Sequence, residues 1–187
     1  PVCVTPTAFI DKCIEYATAD NHVLLTFGDM MKVPGTEGSL SDMKGRGAKV
    51  ELMYSPFEAV EKAQANPDIT YVVAAVGFET TAPAYALMMQ QAYAKDVKNV
   101  RLVTALKTVI PALTWICENQ QDIDGFICPG HVSTIIGSTP YEALAEKYGK
   151  PFVGMTGKFH GGWGEFGGFK SREALKYEMA DMMSVGA

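Results

Sequence analysis

Six short apolar runs punctuate the chain: HVLLTF (22–27), KVELMYS (49–55), TYVVAAVGF (70–78), VRLVTAL (100–106), GFIC (125–128) and PFVGM (151–155). They are rich in β-branched and aromatic residues, as strands buried on both faces are, which predicts a parallel sheet. Stretches with helical spacing lie between them. In TPTAFIDKCIEYA, residues Phe9, Ile10, Cys13, Ile14 and Ala17 share one face, with Thr5 as the expected N-cap and Pro6 at the first helical position. Cys13 is therefore read as a core residue. SPFE (55–58) and TPYE, which ends at Glu142, repeat one device: a Ser or Thr cap, then Pro, then a Glu three residues after the cap that can return a bond to the cap N–H. Glu58 and Glu142 are read as structural on that ground. Asn66-Pro67 closes the first of these helices and YGK (148–150) the second. The fold class is α/β, with repeated strand-loop-helix units, a mainly parallel sheet and room for two small α/β subdomains.

Composition narrows the possible partners. With 187 residues and 48% apolar content the chain can bury a substantial core. A formal charge of −5, without a Lys/Arg cluster, argues against nucleic acid and anionic lipid as partners. No apolar run reaches the roughly 18 residues of a membrane span, so no membrane role is expected and a cytoplasmic setting is the default. Cys3, Cys13, Cys117 and Cys128 lack CxxC spacing and read as reduced thiols. The first residue is Pro rather than Met, from which a cut from a longer protein is expected.

The residues with chemistry gather in loops after strands, where open α/β sheets collect ligands. GDMMKVPGTEGS (28–39) follows the first run, ETTAP (79–83) the third and PGHVST the fifth. Asp29 and Glu79 can bind a metal, shuttle a proton or cap a neighbouring loop. Thr80 and Thr81 can face a ligand or cap the following helix. The imidazole of His131 suits an acid, a base or a ligand, whereas Cys128 reads as core. No Walker A or GxGxxG phosphate loop is present. Cys3, in PVCVTP just before a helix start, lies where the helix dipole favours a thiolate; a buried thiol is the competing reading.

Taken together and in order, PVCVTP, TFGDMMKVPG, YSPFEAV, GFETTAP and GFICPGHVSTIIG resemble the HypD family of hydrogenase maturation factors over residues 1–153. The resemblance implies a multi-domain α/β scaffold with a [4Fe–4S] cluster. On it, together with a HypC-type chaperone, an iron centre carrying cyanide and carbon monoxide is assembled for [NiFe] hydrogenase, the cyanide arriving from a HypE-type protein. Cys3 then matches the second cysteine of the family's Cys-Pro-Val-Cys motif, associated with thiol redox chemistry beside the iron. Gly28 and Asp29 match its Gly-Asp loop, Glu79, Thr80 and Thr81 its Glu-Thr-Thr loop, and Pro129, Gly130 and His131 its Pro-Gly-His loop. These nine residues are the expected site. Soft thiolate donors suit a low-spin iron, and N–H or O–H donors suit bound cyanide.

The first cysteine of that motif, an upstream iron-binding cysteine and the later cluster ligands are not among these residues, so the segment alone is not expected to hold the cluster or to complete the reaction. Residues 154–187 read as a foreign Gly-rich loop plus helix. They resemble a piece of a fucosidase-like glycoside hydrolase, in which Trp163 would stack on a sugar and His160 or Glu165 would contact it. Ser171 is the expected cap of a helix with Leu175, Met179 and Met182 along one stripe. An inactive truncated or chimeric α/β fragment is the alternative reading, and a glycoside hydrolase fragment a further one.

Overall fold

All six apolar runs fold as strands in the computed structural model of the chain, which describes residues 2–154 and 171–184. The chain divides into two compact units, Pro1–Lys107 and Thr108–Ala187. In the first, four strands form a parallel sheet: His22–Thr26 (β1), Val50–Leu52 (β2), Thr70–Gly77 (β3) and Val100–Leu106 (β4), in the order β2-β1-β3-β4. Leu24 stands opposite Val50 on one side and Val72 on the other, and Val73 stands opposite Leu102.

The pleat sorts the apolar runs between two cores. Val23, Leu25, Tyr71, Val73 and Ala75 pack with the helices Glu58–Ala65 (α3) and Ala82–Ala94 (α4). Leu24, Val72 and Ala74 pack on the other face with Phe9, Ile10, Cys13 and Ala17 of Thr7–Thr18 (α1) and with Leu40 of the short helix Leu40–Gly45 (α2). Burial on both faces explains why these strands read as continuous rather than alternating apolar runs. Each fully buried Leu, Ile or Met contributes about 1.5–3 kcal/mol of transfer free energy. The edge strand β4 leaves Arg101 and Thr104 exposed. Asn99 at its entrance ties α3 to the sheet: its side-chain amide donates to the carbonyls of Ala63, Asn66 and Ile69 at 3.0, 3.1 and 2.8 Å.

The second unit holds Phe126–Cys128 (β5) and Phe152–Gly154 (β6), paired in parallel, with the helices Val109–Asn119 (α5), Gly130–Ile136 (α6), Thr139–Tyr148 (α7) and Arg172–Ser184 (α8). Phe126 and Phe152 stack with centroids 4.8 Å apart, and Tyr141 of α7 tilts against Phe152. Tyr148 donates to Glu118 at 2.5 Å, and the Lys150 ammonium donates to the carbonyls of Gln120 and Ile123 at 2.9 and 2.6 Å. Ser171 caps α8 as expected, its hydroxyl accepting the Ala174 N–H at 3.1 Å.

The other caps depart from expectation. Pro6, in extended geometry, takes the N-cap position of α1, so the helix starts one residue later than a Thr5 cap would set it. At TPYE the cap is Ser138, no side chain bonds there, and Glu142 is exposed, so the expected capping box does not form. At SPFE the returning half does form: the Glu58 carboxylate accepts the N–H groups of Tyr54 and Ser55 at 2.8 and 2.9 Å. Asn66 and Gly149 end their helices as expected, Gly149 in the left-handed region at φ 64°. Among the described residues no helix is long and apolar enough to cross a membrane.

Candidate functional site

In the first unit the strand order reverses at β1, which has β2 on one side and β3 on the other. The loops leaving β1 and β3 therefore diverge and open a crevice beyond their carboxyl ends. Helix α1 packs on the sheet and hands over to β1 through residues 19–21, which brings its N-terminus and the turn before it to that same edge. The result is a shallow cleft of about 470 Å³. Val2, Cys3, Thr5 and Thr7 form one wall, and Asp29, Lys32, Val33 and Pro34 form the other.

Cys3 lies in a 3-10 turn, Val2–Val4, with its thiol group exposed. Gly28 opens a second 3-10 turn, Gly28–Lys32, anchored by buried Met30. A Cβ at Gly28 would meet nothing within 4 Å, so no steric requirement for glycine exists there. In a 3-10 turn side chains three residues apart eclipse, which sets Asp29 and Lys32 on one face. The wall behind them is held by Asp11 of α1, whose carboxylate accepts the Thr36 N–H and hydroxyl, each at 2.7 Å. These two bonds hold the Asp11 carboxyl below its usual range, against a small opposing effect of burial. A Cβ at Gly35 would lie 2.7 Å from that carboxylate, so this glycine is required by close approach. A capping box that the sequence reading missed follows: the Ser39 hydroxyl accepts the Asp42 N–H at 3.2 Å, and the Asp42 carboxylate accepts the Ser39 N–H at 2.8 Å. Its signal, Ser39 followed three residues later by an acid, straddles the end of the stretch 28–39 read as loop.

Glu79, Thr80 and Thr81 follow β3 at the neighbouring strand end, outside the lining of the Cys3 cleft. Thr81 occupies the N-cap position of α4, yet its side chain makes no capping bond. It packs over Gly77, where any Cβ would collide with it. Tyr85, one turn into α4, is 1% exposed. Among the described residues its hydroxyl has no hydrogen-bond partner of full geometry, the Val76 backbone being the group it approaches. Burial lifts its phenol pKa above the ordinary range; the nearby Val76 backbone opposes the lift and the Asp29 charge adds to it. Sequence reasoning missed Tyr85 because one tyrosine on an apolar helix carries no local signal.

In the second unit, the stretch GFICPGHVSTIIG is strand, turn and helix. Pro129 is the N-cap of α6, and Gly130 and His131 are its first residues, with His131 exposed. The hydroxyls of Ser133 and Thr134 donate back to the carbonyls of Pro129 and Gly130 at 3.1 and 2.9 Å. Cys128 is buried, as read, and burial pushes its thiol up to about 11. Cys13 is pushed up to about 12 by the same cause, and all four cysteines are free thiols. Among the described residues no three His, Cys, Asp or Glu side chains converge on a metal-sized site. His160, Trp163 and Glu165 lie outside the described residues.

The sequence profile of the hydrogenase formation hypA family, HypD, matches residues 1–158. The chain belongs to the HypD family. Among its curated relatives, the hydrogenase maturation factor HypD of Escherichia coli strain K12 and that of Rhodobacter capsulatus are each 44% identical to it over 154 residues. HypD2 of Bradyrhizobium diazoefficiens is 42% identical over 161 residues. Each alignment covers 82% of this chain. The chain spans about two fifths of the length of these HypD relatives, 41% in the first two and 42% in the third.

Proposed function

We propose that this chain is the part of a hydrogenase maturation factor that presents the Cys3 thiol to an iron centre under assembly. The substrate is iron acquiring cyanide and carbon monoxide ligands, the Fe(CN)2CO unit of [NiFe] hydrogenase. A HypC-type chaperone works with the chain, and a HypE-type protein supplies the cyanide. One observation carries the reading: the exposed thiol of Cys3 and the Asp29 carboxylate share a cleft at the crevice where strand order reverses. Family membership supports that chemistry for the cleft.

The roles follow from donor type. A thiolate is a soft ligand suited to low-spin iron and is also the redox-active form of cysteine. The 3-10 turn that opens at Gly28 places Asp29 at the cleft, where a carboxylate can accept or return a proton. At the β3 end the hydroxyls of Thr80 and Thr81 are donors suited to bound cyanide. The reading sets the work in the cytoplasm, where thiols stay reduced. A [4Fe–4S] cluster does not fit the described residues: three of the four cysteines are buried, and no metal-holding group is present among them. No step is assigned to a cluster here, and the chain alone is not expected to complete the assembly.

The test is a segment exchange. Residues 1–154 replace the matching segment of the Escherichia coli relative, and hydrogenase activity is measured in cells lacking their own factor. The hybrid is expected to restore activity, and Cys3→Ala in the hybrid to reduce it at least tenfold. Full activity of the Cys3→Ala hybrid would remove Cys3 from the site.

A further inference from the structure

Lys32 is a cleft residue that neither the sequence reading nor the family resemblance assigns. We propose that Lys32 makes the Cys3 cleft selective for anions, so that anionic ligands are held beside the thiol. This deepens the maturation reading and rests on it for the identity of the ligand, the cyanide-bearing coordination sphere of the iron substrate.

The 3-10 turn eclipses Lys32 with Asp29, and buried Met30 anchors that turn, so the Lys32 backbone is fixed at the cleft while its exposed side chain is part of the lining. Lys12 and Lys62 are engaged by Glu15 and Glu51 at 2.7 and 2.9 Å. Lys32 has neither an ion pair nor a hydrogen bond among the described residues, although Asp29 shares its face. Its charge is therefore available to a third group. The lining offers that group one cation, one carboxylate, one thiol and the two threonines Thr5 and Thr7.

Charge at larger scale makes the local cation matter. The chain carries a formal −5, which repels anions from its surface as a whole. At physiological salt that field is screened over about 8 Å, so a cation lining the same cleft outweighs distant carboxylates at the sulfur. Without Lys32, the nearest formal charge facing an anion in the cleft is Asp29, and the cleft would exclude the ligand that the thiol is there to meet.

The thiol itself reports the field. Iodoacetate and iodoacetamide deliver the same methylene carbon to sulfur with loss of iodide, but one is an anion and the other neutral. Their rate ratio at fixed pH therefore reads the potential at the sulfur, and any change in thiolate fraction cancels. Cys3 is the exposed cysteine of the four, so labelling of the folded chain reads this position. Lys32→Gln is expected to lower the iodoacetate-to-iodoacetamide ratio about threefold, the effect of one unit charge in a wet cleft. Lys32→Arg should preserve the ratio and Asp29→Asn should raise it.

An unchanged ratio in Lys32→Gln overturns the proposal. Should that variant unfold, seen as labelling of the buried cysteines, the unmodified chain decides by salt. A ratio that falls as sodium chloride is added supports a local cation, whereas a ratio that rises shows that the net negative field governs and overturns the proposal. No iron, chaperone or cyanide donor enters this assay. Its failure removes Lys32 alone, and failure of the segment exchange removes the maturation reading alone.

Discussion

The Cys3 thiol is the one of four that water-borne reagents can reach, because Cys13, Cys117 and Cys128 are buried. Burial also pushes Cys13 up to about 12 and Cys128 up to about 11, so neither is a thiolate at neutral pH. Brief iodoacetamide treatment of the folded chain at pH 8 should give one adduct by intact mass, on the peptide containing Cys3; two or more adducts would contradict the assignment of the others to the core. Gly77 sets a second expectation. Its missing side chain is what lets Thr81 close over the end of β3, so Gly77→Ala forces a displacement and should cost about 1–3 kcal/mol in chemical denaturation, as overpacking does. Thr81→Ala keeps the clashing Cβ and should not restore stability, whereas Thr81→Gly should restore part of it. A Gly77→Ala chain of unchanged stability would show that the turn yields freely.

At the level of elements, the cleft wall formed by Val33 and Pro34 is held by two carboxylates. Asp11 grips Thr36, and Asp42 closes the capping box with Ser39. Both carboxyls are held below their ordinary value of 3.8, in each case first by the side-chain hydrogen bond and next by the backbone N–H. Groups with lowered folded pKa values stabilise fully above the unfolded value and lose that contribution as pH falls through the folded one. The segment 33–42 should therefore stay protected at pH 4 and above and loosen below pH 3.8, read as faster hydrogen exchange at the Thr36 amide. Asp11→Asn should show the loosening at neutral pH. Strands were the legible part of the sequence, since burial on both faces leaves an unbroken apolar run whatever its neighbours are. Helix starts were less legible: Pro6, in extended geometry, and Ser138, already in helical geometry, displaced Thr5 and Thr139 as caps, because adjacent residues that can each begin a helix carry no local mark of which one does. The Ser39–Asp42 box stayed hidden because Ser39 closes the Gly- and Pro-rich stretch 28–39 that reads as loop, whereas Asp42 lies beyond it in α2.

For the molecule as a whole, topology turned scattered sequence signals into a site. Cys3 and Asp29 are 26 positions apart, and only the reversal of strand order at β1, with α1 running back to the same edge, makes them walls of one cleft. Loop position gathered Asp29 with the other strand-end loops, and Cys3 joined them only through the family resemblance; Lys32 was not legible, because an exposed lysine has no local mark of function until its neighbours are known. HypD membership, over about two fifths of the relatives' length, supports the role proposed for that cleft. The central claim is that the Cys3 cleft serves the assembly of an iron centre with diatomic ligands. The most direct measurement is the infrared spectrum of the segment-exchange hybrid, purified with its HypC-type chaperone and iron from cells that contain the cyanide donor. Stretching bands of bound cyanide and carbon monoxide in the hybrid, lost on Cys3→Ala while the chaperone complex still forms, are the predicted result. Bands that persist unchanged in the Cys3→Ala hybrid would contradict the account.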